Sequence, residues 1–383
     1  MSVTDVQDGA GRPGTSAAVR VVDADVHPMP RPGELDEYLP EPYRSRFWRR
    51  QRKGQTILYD SPDDWRTKAM RMDAFPEDGG FPGSDPELAF TQLIMEAGSD
   101  IAILEPTVKM QYLPELTQSA DTATNHWLAQ NWLDGKGNWH DRWRGSICAA
   151  IDAPAEAARE IEYWAGHRHM VQVLIRTEQR PAWGDPQYDP VWEAASRHGL
   201  PVASHVARGS FEQMPMSPVG FSSYNHDFMT SYSLLAANQI MSLVFDGVFE
   251  RFPELQIVFV EYAYSWILPL MWRMDAVYEA RKGDIPSVRR KPSDYVREHI
   301  WFTTQPLDFP EDRREVGKLM EWMEADQLLL FSSDYPHWTF DDPRWIVRQI
   351  PEKLRAAIMY ENGVNLYGLP ASVPALDGQT RVW

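Results

Sequence analysis

The chain has 383 residues, of which 43% are hydrophobic and 24% charged, a composition typical of globular proteins rather than disordered or fibrous ones. The formal net charge is −17, so the surface repels polyanions such as DNA or RNA, and we expect no nucleic-acid partner. No segment approaches the roughly twenty uninterrupted apolar residues that a membrane span requires. We therefore expect no membrane partner either.

The beginning of the chain and its cysteine content bear on location. Residues 1–18 are small and polar and lack the apolar centre of a secretory signal, so we interpret them as a disordered leader. Cys148 is the single cysteine and lies in an apolar run, which excludes an intramolecular disulfide and favours a reducing compartment. The expected location is the cytoplasm.

Short apolar runs rich in Val, Ile, Leu or Phe recur along the chain, with helical stretches between them. Eight such runs lie at 19–26, 100–106, 145–152, 170–176, 200–206, 255–262, 299–305 and 327–335. Helices are predicted between them at 86–98, 122–133, 155–167, 189–199, 230–252, 265–282 and 311–326. This alternation predicts an α/β fold, a (β/α)8 TIM barrel, with a doubly wound open sheet as the rival architecture.

The predicted domain organisation is one barrel over residues 19–370, followed by a C-terminal tail at 371–383. Residues 28–83 form a long insertion after the first strand, far longer than an ordinary βα loop. In a barrel, this insertion would lie over the carboxyl-terminal mouth as a lid or pocket wall. A surface arm used in dimer packing is the alternative.

The first strand ends in the sequence DADVH, which contains Asp23, Asp25 and His27. Side chains two apart on a strand point to the same face, so two of them can bind one ion. A carboxylate beside an imidazole suits a divalent cation such as Zn²⁺ or Mn²⁺. The alternative is that Asp23 caps a turn and His27 is exposed.

Three later strands also end in polar residues. His205 ends the fifth, Glu261 the sixth and Asp334 the eighth. A core histidine, or a carboxylate paired with arginine, would explain each one separately. A single bound ion explains all of them more economically, because a barrel gathers the ends of its strands at one mouth.

These motifs, DxH after strand one, His after strand five and SDYPHW after strand eight, resemble an amidohydrolase-like family. That family includes aminocarboxymuconate-semialdehyde decarboxylase and the resorcylate and carboxyvanillate decarboxylases. The resemblance spans roughly Val21 to Leu369 and includes the segments TTQP (303–306) and ENGVNLYGL (361–369). It implies that one divalent metal ion is held by Asp25, His27, His205 and Asp334.

Two positions depart from the family pattern. Asp25 replaces the first histidine of the commoner HxH motif, which adds negative charge and shifts our expectation toward Mn²⁺ without excluding Zn²⁺. Glu261 stands where better-known relatives carry a histidine. It can act as a base, as a further ligand, or as a group that orients His205 or His27.

The resemblance implies a metal-dependent hydrolase that acts on a small aromatic or conjugated carbonyl or carboxylate substrate through a metal-activated water. Asp334, Glu261 and His205 are the candidate catalytic residues. Non-oxidative decarboxylation of an aromatic or muconate-type acid is the alternative, and a barrel without catalytic activity is a third interpretation.

Further residues near the predicted mouth are candidates for substrate binding. Arg208 can clamp a carboxylate, or can form a surface salt bridge. His226, His337, Trp338 and Tyr262 can line an aromatic pocket, as can Tyr264, although core packing explains the Tyr and Trp residues equally well. Apolar surface on the helices predicted near 230–252 and 265–282 predicts a homodimer or larger assembly.

Overall fold

The structure is a computed structural model. It describes residues 18–31, 33–45, 70–106, 114–177, 179–206 and 225–383. The predicted leader lies outside this part of the chain, apart from its last residue.

The architecture is a parallel sheet of eight strands that alternate with helices. The strands are β1 Val22–Val26, β2 Ile101–Leu104, β3 Trp143–Cys148, β4 Met170–Ile175, β5 Val202–His205, β6 Ile257–Val260, β7 Ile300–Thr303 and β8 Leu329–Leu330. Each strand pairs in parallel with the next along the chain. The predicted TIM barrel is confirmed, and the open sheet is excluded.

Backbone hydrogen bonds between β1 and the segment after β8 bring the two ends of the sheet together. The Ala24 N–H donates to the Phe331 carbonyl (2.9 Å), and the His27 N–H donates to the Tyr335 carbonyl (2.8 Å). The barrel is therefore nearly closed. The hydrogen bonds that bring its two ends together are made by residues at or near the predicted metal ligands in the sequence.

The main helices are α1 Pro86–Ala89, α2 Pro114–Leu128, α3 Pro154–Trp164, α4 Asp189–Arg197, α5 Asn225–Phe245, α6 Val248–Arg251, α7 Ile267–Arg281, α8 Pro292–His299, α9 Val316–Met323, α10 Pro343–Gln349, α11 Glu352–Ala356 and α12 Asn362–Leu366. Wider helical turns extend α1 through Phe90–Glu96 and α2 through Ala129–Leu133. The helix predicted at 230–252 is divided because Gly247 adopts a left-handed φ of 71° between α5 and α6.

The core has two layers because strand side chains alternate between the faces of the sheet. Val202 and Phe259 belong to the large cluster that packs against the surrounding helices. Ala203 and Val260 belong to the second cluster, together with Cys148. His205 lies two residues beyond Ala203, so the inner face of β5 leads directly to a predicted ligand.

The described ends of the insertion flank the loop after β8. Met70 forms an antiparallel bridge with His337, and the Arg71 N–H donates to the Pro336 carbonyl (2.9 Å). The Met29 N–H donates to the Gly83 carbonyl (2.8 Å). These contacts place both ends of the insertion beside the predicted site.

The predicted C-terminal tail packs against the barrel. Val382 is 1% exposed and bridges Val19, and the Thr380 N–H donates to the Met95 carbonyl (2.8 Å). Among the residues that the structure describes, no helix combines the length and the apolar character needed to cross a membrane.

Candidate metal centre

Four buried side chains converge at the carboxyl-terminal end of the barrel. Each contributes one potential ligand atom, and these atoms all lie within 4.8 Å of one another. The group consists of Asp25, His27, His205 and Asp334. Two carboxylates and two imidazoles form a donor set that suits a divalent transition metal ion. The structure thus brings together all four residues predicted as ligands.

The Nε2 atom of His27 lies between the two carboxylates. It is 3.1 Å from Oδ1 of Asp25 and 3.2 Å from Oδ1 of Asp334. Nε2 of His205 lies 3.7 Å from Oδ1 of Asp25. The polar atoms of these side chains, which come from the carboxyl ends of β1 and β5 and from the loop after β8, therefore lie around a common point.

Backbone carbonyl groups fix both imidazole rings. Nδ1 of His27 donates to the Glu105 carbonyl (3.0 Å), and Nδ1 of His205 donates to the Val206 carbonyl. With a proton on Nδ1, the Nε2 atom of each ring faces the group and can offer its lone pair to a metal ion, as is usual for metal-binding histidines.

Several polar atoms of the group have no hydrogen-bond partner among the described residues. They are both carboxylate oxygens of Asp25 and Nε2 of His205. Leaving buried polar atoms without partners costs about 1–3 kcal/mol each. A cation bound among these atoms would satisfy them, so the residues fit a metal ion.

The electrostatics of the group also favour a positive charge. Burial raises the pKa of Asp25; the charge of His27 opposes this rise, and the nearby carboxylates of Glu105 and Asp334 add to it. Burial alone would lower the pKa of His27, but Asp25 and Asp334 raise it to about 10. Without a metal ion, the carboxylates therefore hold a proton on His27, in the place that a divalent ion would take.

Asp334 accepts hydrogen bonds at both of its oxygens. Oδ1 accepts from His27 (3.2 Å) and from Nδ1 of His337, and Oδ2 accepts from Gln305 Nε2 (3.2 Å) and Thr339 Oγ1 (2.5 Å). Burial opposes ionisation, but the charge of His337 and these hydrogen bonds lower the pKa of Asp334. Asp334 is therefore held as a carboxylate.

Gln305 and Thr339 did not emerge from the sequence as site residues. Gln305 lies in the TTQP segment, which contributed only to the family resemblance. Thr339 follows the SDYPHW motif, and its contact with Asp334 depends on how the chain turns back after β8.

Glu261 lies next to the four ligands, on the side nearer solvent. Its Oε2 is 3.5 Å from Nε2 of His205, and its side chain is 15% exposed, compared with 0% for Asp25. Glu261 has a left-handed φ of 66°, and its N–H donates to Thr303 Oγ1 (3.0 Å). Burial raises its pKa, and Asp334 and Asp25 raise it further.

Asp23 does not join the ligand group, which corrects the expectation of three side chains on one face. The pairing of β1 with β2 shifts register between Asp23 and Val26, so the regular alternation is interrupted. Oδ1 of Asp23 instead accepts from the N–H groups of Ser333 (2.9 Å) and Asp25 (3.4 Å). Burial raises the pKa of Asp23 to about 7.

The predicted substrate-binding residues have different positions. The His337 ring lies 4.8 Å from the His27 ring, and the next side chain, Trp338, is 64% exposed. Tyr262 is buried, and its hydroxyl forms hydrogen bonds with the hydroxyl groups of Thr177 and Ser204 (3.5 Å for Ser204).

The remaining candidates for the mouth are Tyr264, Arg208 and His226. Tyr264 is buried and donates to the Asp308 carbonyl (3.3 Å). Arg208 and the His226 side chain lie outside the described part of the chain.

A sequence profile of the amidohydrolase family matches residues 22–369, which is most of the chain and includes all four ligands. The chain belongs to the amidohydrolase family. This assignment agrees with the barrel and with ligands at the carboxyl ends of its first and fifth strands and after its eighth, and it confirms the resemblance deduced from the sequence motifs.

Solved structures share the fold of this amidohydrolase at low sequence identity. An amidohydrolase from Mycobacterium avium subsp. paratuberculosis K-10 is 20% identical, with a TM-score of 0.69 over 92% of this chain and 99% of that chain. The 5-carboxyvanillate decarboxylase from Sphingomonas paucimobilis is 20% identical, with a TM-score of 0.64 over 92% and 100%.

A third structure is the 5-carboxyvanillate decarboxylase from Novosphingobium aromaticivorans DSM 12444, complexed with manganese and 4-hydroxy-3-methoxy-5-nitrobenzoic acid. It is 16% identical, with a TM-score of 0.64 over 92% of this chain and 96% of that chain. At these identities, the similarity concerns the fold.

Proposed function

We propose that this amidohydrolase is a metal-dependent hydrolase of a small, neutral, aromatic or conjugated carbonyl compound. The observation that carries the proposal is the Glu261 carboxyl group, 3.5 Å from a ligand histidine and on the more open side of four converging ligand atoms. When bound by Asp25, His27, His205 and Asp334, a divalent ion supplies Lewis acidity to a carbonyl oxygen and makes water more acidic.

Glu261 is the proposed proton-transfer group. Asp334 has four hydrogen-bond donors and a lowered pKa, which suits a ligand that stays ionised. Glu261 has a raised pKa, so it can accept the proton that the attacking water loses and return it to the leaving group. His205 is the ligand nearest to Glu261, with 3.5 Å between Nε2 and Oε2, and is proposed to orient it.

The charge of the site favours a neutral substrate. The carboxylates of Asp25, Asp334 and Glu261 together outweigh the charge of one divalent ion unless one of them is protonated. An anionic substrate would therefore need a cation of its own, and Arg208 is the candidate clamp.

Non-oxidative decarboxylation of an aromatic acid is the second candidate function. It is favoured by the fold similarity to two 5-carboxyvanillate decarboxylases. In that reaction, Glu261 would protonate the ring carbon as carbon dioxide leaves, and Arg208 would bind the carboxylate.

We propose Mn²⁺ as the preferred ion, with Zn²⁺ as the alternative. Two carboxylate ligands make the site harder than an all-histidine site, which favours Mn²⁺. One relative of similar fold was solved with manganese.

His337 and the exposed Trp338 are proposed to line the substrate pocket together with His226, and the buried Tyr262 is proposed to pack behind its wall. The insertion 28–83 is proposed as a wall of this pocket, because Met70 and Arg71 within it contact the loop that carries His337.

A homodimer in the cytoplasm is also proposed. Support for the dimer comes from exposed apolar side chains on neighbouring helices, with Leu234 on α5 48% exposed and Trp272 on α7 60% exposed. Sedimentation velocity of wild type and Trp272→Lys tests this proposal, and a monomeric wild type at micromolar concentration would contradict it. The single buried cysteine supports the reducing compartment.

The proposed reaction is tested with Mn²⁺-loaded protein on two substrate panels. The first contains neutral aryl amides, esters and lactones, and hydrolysis is followed by product release. The second contains hydroxylated aromatic acids, and decarboxylation is followed by carbon dioxide release. Hydrolysis that depends on metal and on Glu261 supports the primary proposal, carbon dioxide release supports the second, and stable metal binding without turnover of either panel points to a non-catalytic barrel.

A further inference from the structure

Gln305 is a buried amide beside Asp334, and its backbone lies close to that of Glu261. It lies two residues after β7 and is 2% exposed. Its Nε2 donates to Oδ2 of Asp334 (3.2 Å). In the backbone, the hydroxyl of Thr303 accepts from the main-chain N–H of Glu261 (3.0 Å) and donates to the main-chain carbonyl of Gln305 (3.3 Å).

The contact with Asp334 fixes which end of the Gln305 amide faces which way. An ionised carboxylate only accepts hydrogen bonds, so the amide nitrogen must face Asp334. The amide oxygen, Oε1, then faces away from that carboxylate. It has no hydrogen-bond partner among the residues that the structure describes.

The backbone around Gln305 is held firmly, so the orientation of its side chain is preset. The Gln305 N–H donates to Ser332 Oγ (3.0 Å), and the Ser332 N–H donates to Thr304 Oγ1 (3.1 Å). These two bonds connect the ends of β7 and β8. A buried acceptor without a partner is costly, so one in a fixed position beside a candidate reaction centre needs a functional explanation.

We propose that Oε1 of Gln305 accepts a hydrogen bond from an N–H or O–H group of the substrate, beside the reacting carbonyl. Gln305 is then a specificity-determining residue. This inference rests on the proposed function and deepens it, because it selects carbonyl compounds that carry a donor at that position. Carboxamides with an N–H group are preferred over esters or N-alkylated amides of the same shape.

The size of this preference follows from the cost of leaving a buried acceptor unpaired. A site built to pair with a substrate donor discriminates strongly against an analogue without the donor, and a single neutral hydrogen bond corresponds to about a tenfold difference or more. If Gln305 only supported Asp334, no such preference would be expected, because the analogues with and without the donor would bind the same ion in the same way.

The test uses two probes that differ in one donor. Acetohydroxamic acid and N-methylacetohydroxamic acid both bind divalent ions through two oxygens, but only the first retains an N–H. Their dissociation constants are measured by calorimetry on full-length, Mn²⁺-loaded protein. We compare wild type with Gln305→Met and Gln305→Lys, where Lys retains a donor for Asp334 and lacks the acceptor. Gln327→Met at an exposed position is the control.

The expected result is that wild type binds acetohydroxamic acid about tenfold more tightly or better, after correction for the intrinsic difference measured with free Mn²⁺. The corrected ratio of the two dissociation constants falls to near one in Gln305→Lys, and also in Gln305→Met if that variant retains its ion. Gln327→Met keeps the wild-type ratio.

Equal binding of the two probes by metal-loaded wild type would overturn the inference and leave the proposed function intact. Equal weakening of both probes in the Gln305 variants, with the preference unchanged, would also overturn it and would leave Gln305 as a support for Asp334. Failure of wild type to bind Mn²⁺ would instead overturn the proposed function on which the inference rests.

Discussion

Nε2 of His27 lies 3.2 Å from Oδ1 of Asp334, and this contact joins the first and last strands of the barrel at the metal group. The backbone makes the same connection, because the Asp334 N–H donates to the Asp25 carbonyl (3.1 Å). Closure of the barrel and assembly of the site therefore depend on the same few residues. A change that displaces the end of β1 is expected to weaken both.

Gly83 offers a direct test of this connection. It has a φ of +77°, and a Cβ atom there would lie 2.3 Å from the carbonyl oxygen of His27. Gly83→Ala is therefore expected to displace His27, destabilise the fold and weaken metal binding by at least about tenfold, since a loss of roughly 1.4 kcal/mol in binding is enough for that.

Gly79 provides the matched control for that variant. Its φ is +86°, but a Cβ atom there would meet nothing within 4 Å. Gly79→Ala is expected to cost only the backbone strain, of order 1–3 kcal/mol, with unchanged metal affinity. Thermal unfolding and metal titration of both variants check this, and equal metal affinity in the two would contradict the proposed connection.

The sequence predicts the fold well because buried parallel strands leave a local signal. All eight apolar runs contain a strand, and the four ligands were found because each lies in or just after one of them. The final run shows the limit of this signal, since β8 covers only Leu329–Leu330 and the chain turns at Asp334 with a φ of 61°.

Other features of the site depend on contacts between residues distant in sequence. The register shift in β1 directs Asp23 to the Ser333 N–H, 310 residues away, and no local pattern encodes that pairing. The hydrogen bonds of Gln305 to Asp334 and Ser332 likewise arise only when β7 and β8 lie side by side.

Asp25→Asn is expected to affect stability in opposite directions with and without metal. Without metal, burial and the nearby carboxylates outweigh the charge of the His27 imidazole, whose Nε2 is 3.1 Å from Oδ1 of Asp25, and raise the pKa of Asp25. Removing its charge is expected to stabilise the metal-free protein by about 1–3 kcal/mol.

With saturating Mn²⁺, wild type is expected to be the more stable of the two, because it binds the ion more tightly and gains more stability from it. Urea unfolding with chelator and with Mn²⁺ measures both differences. A metal-free Asp25→Asn protein that is less stable than metal-free wild type would argue against an uncompensated charge.

Glu261→Gln is expected to lower kcat by about 10²–10⁴-fold, the usual contribution of a general acid or base, with metal content unchanged. The reason is that Glu261 faces the ligand group without being one of the four ligands. Glu254→Gln, at an exposed position, is the control. Loss of the ion in Glu261→Gln would instead identify Glu261 as a fifth ligand.

His140 predicts a pH dependence of stability that is independent of the metal group. Burial and the charge of Arg142 lower its pKa to about 4, and its Nδ1 accepts from the Arg142 N–H (3.1 Å). As the pH falls, His140 therefore becomes protonated near pH 6.5 in the unfolded chain but only near pH 4 in the folded protein. The stability that depends on neutral His140 is fully present above pH 6.5 and is lost as the pH falls toward 4.

The loss is expected to be on the order of 1–2 kcal/mol, discounted because His140 is not completely shielded from solvent. Urea unfolding in chelator at pH 7.5 and pH 5 should show a smaller loss in His140→Gln than in wild type. His198→Gln should resemble wild type, because the ion pair of His198 with Glu162 is exposed to solvent and contributes little. Equal losses in all three proteins would contradict this assignment.

The most direct test of the central claim is elemental analysis of the purified protein after reconstitution with Mn²⁺ or Zn²⁺. Wild type, Asp25→Asn, His205→Ala and the exposed control Asp326→Asn are compared. About one ion per chain in wild type and in Asp326→Asn, with little in the other two, is the predicted result. No bound ion in wild type, or equal content in all four proteins, would contradict the metal centre and the function proposed from it.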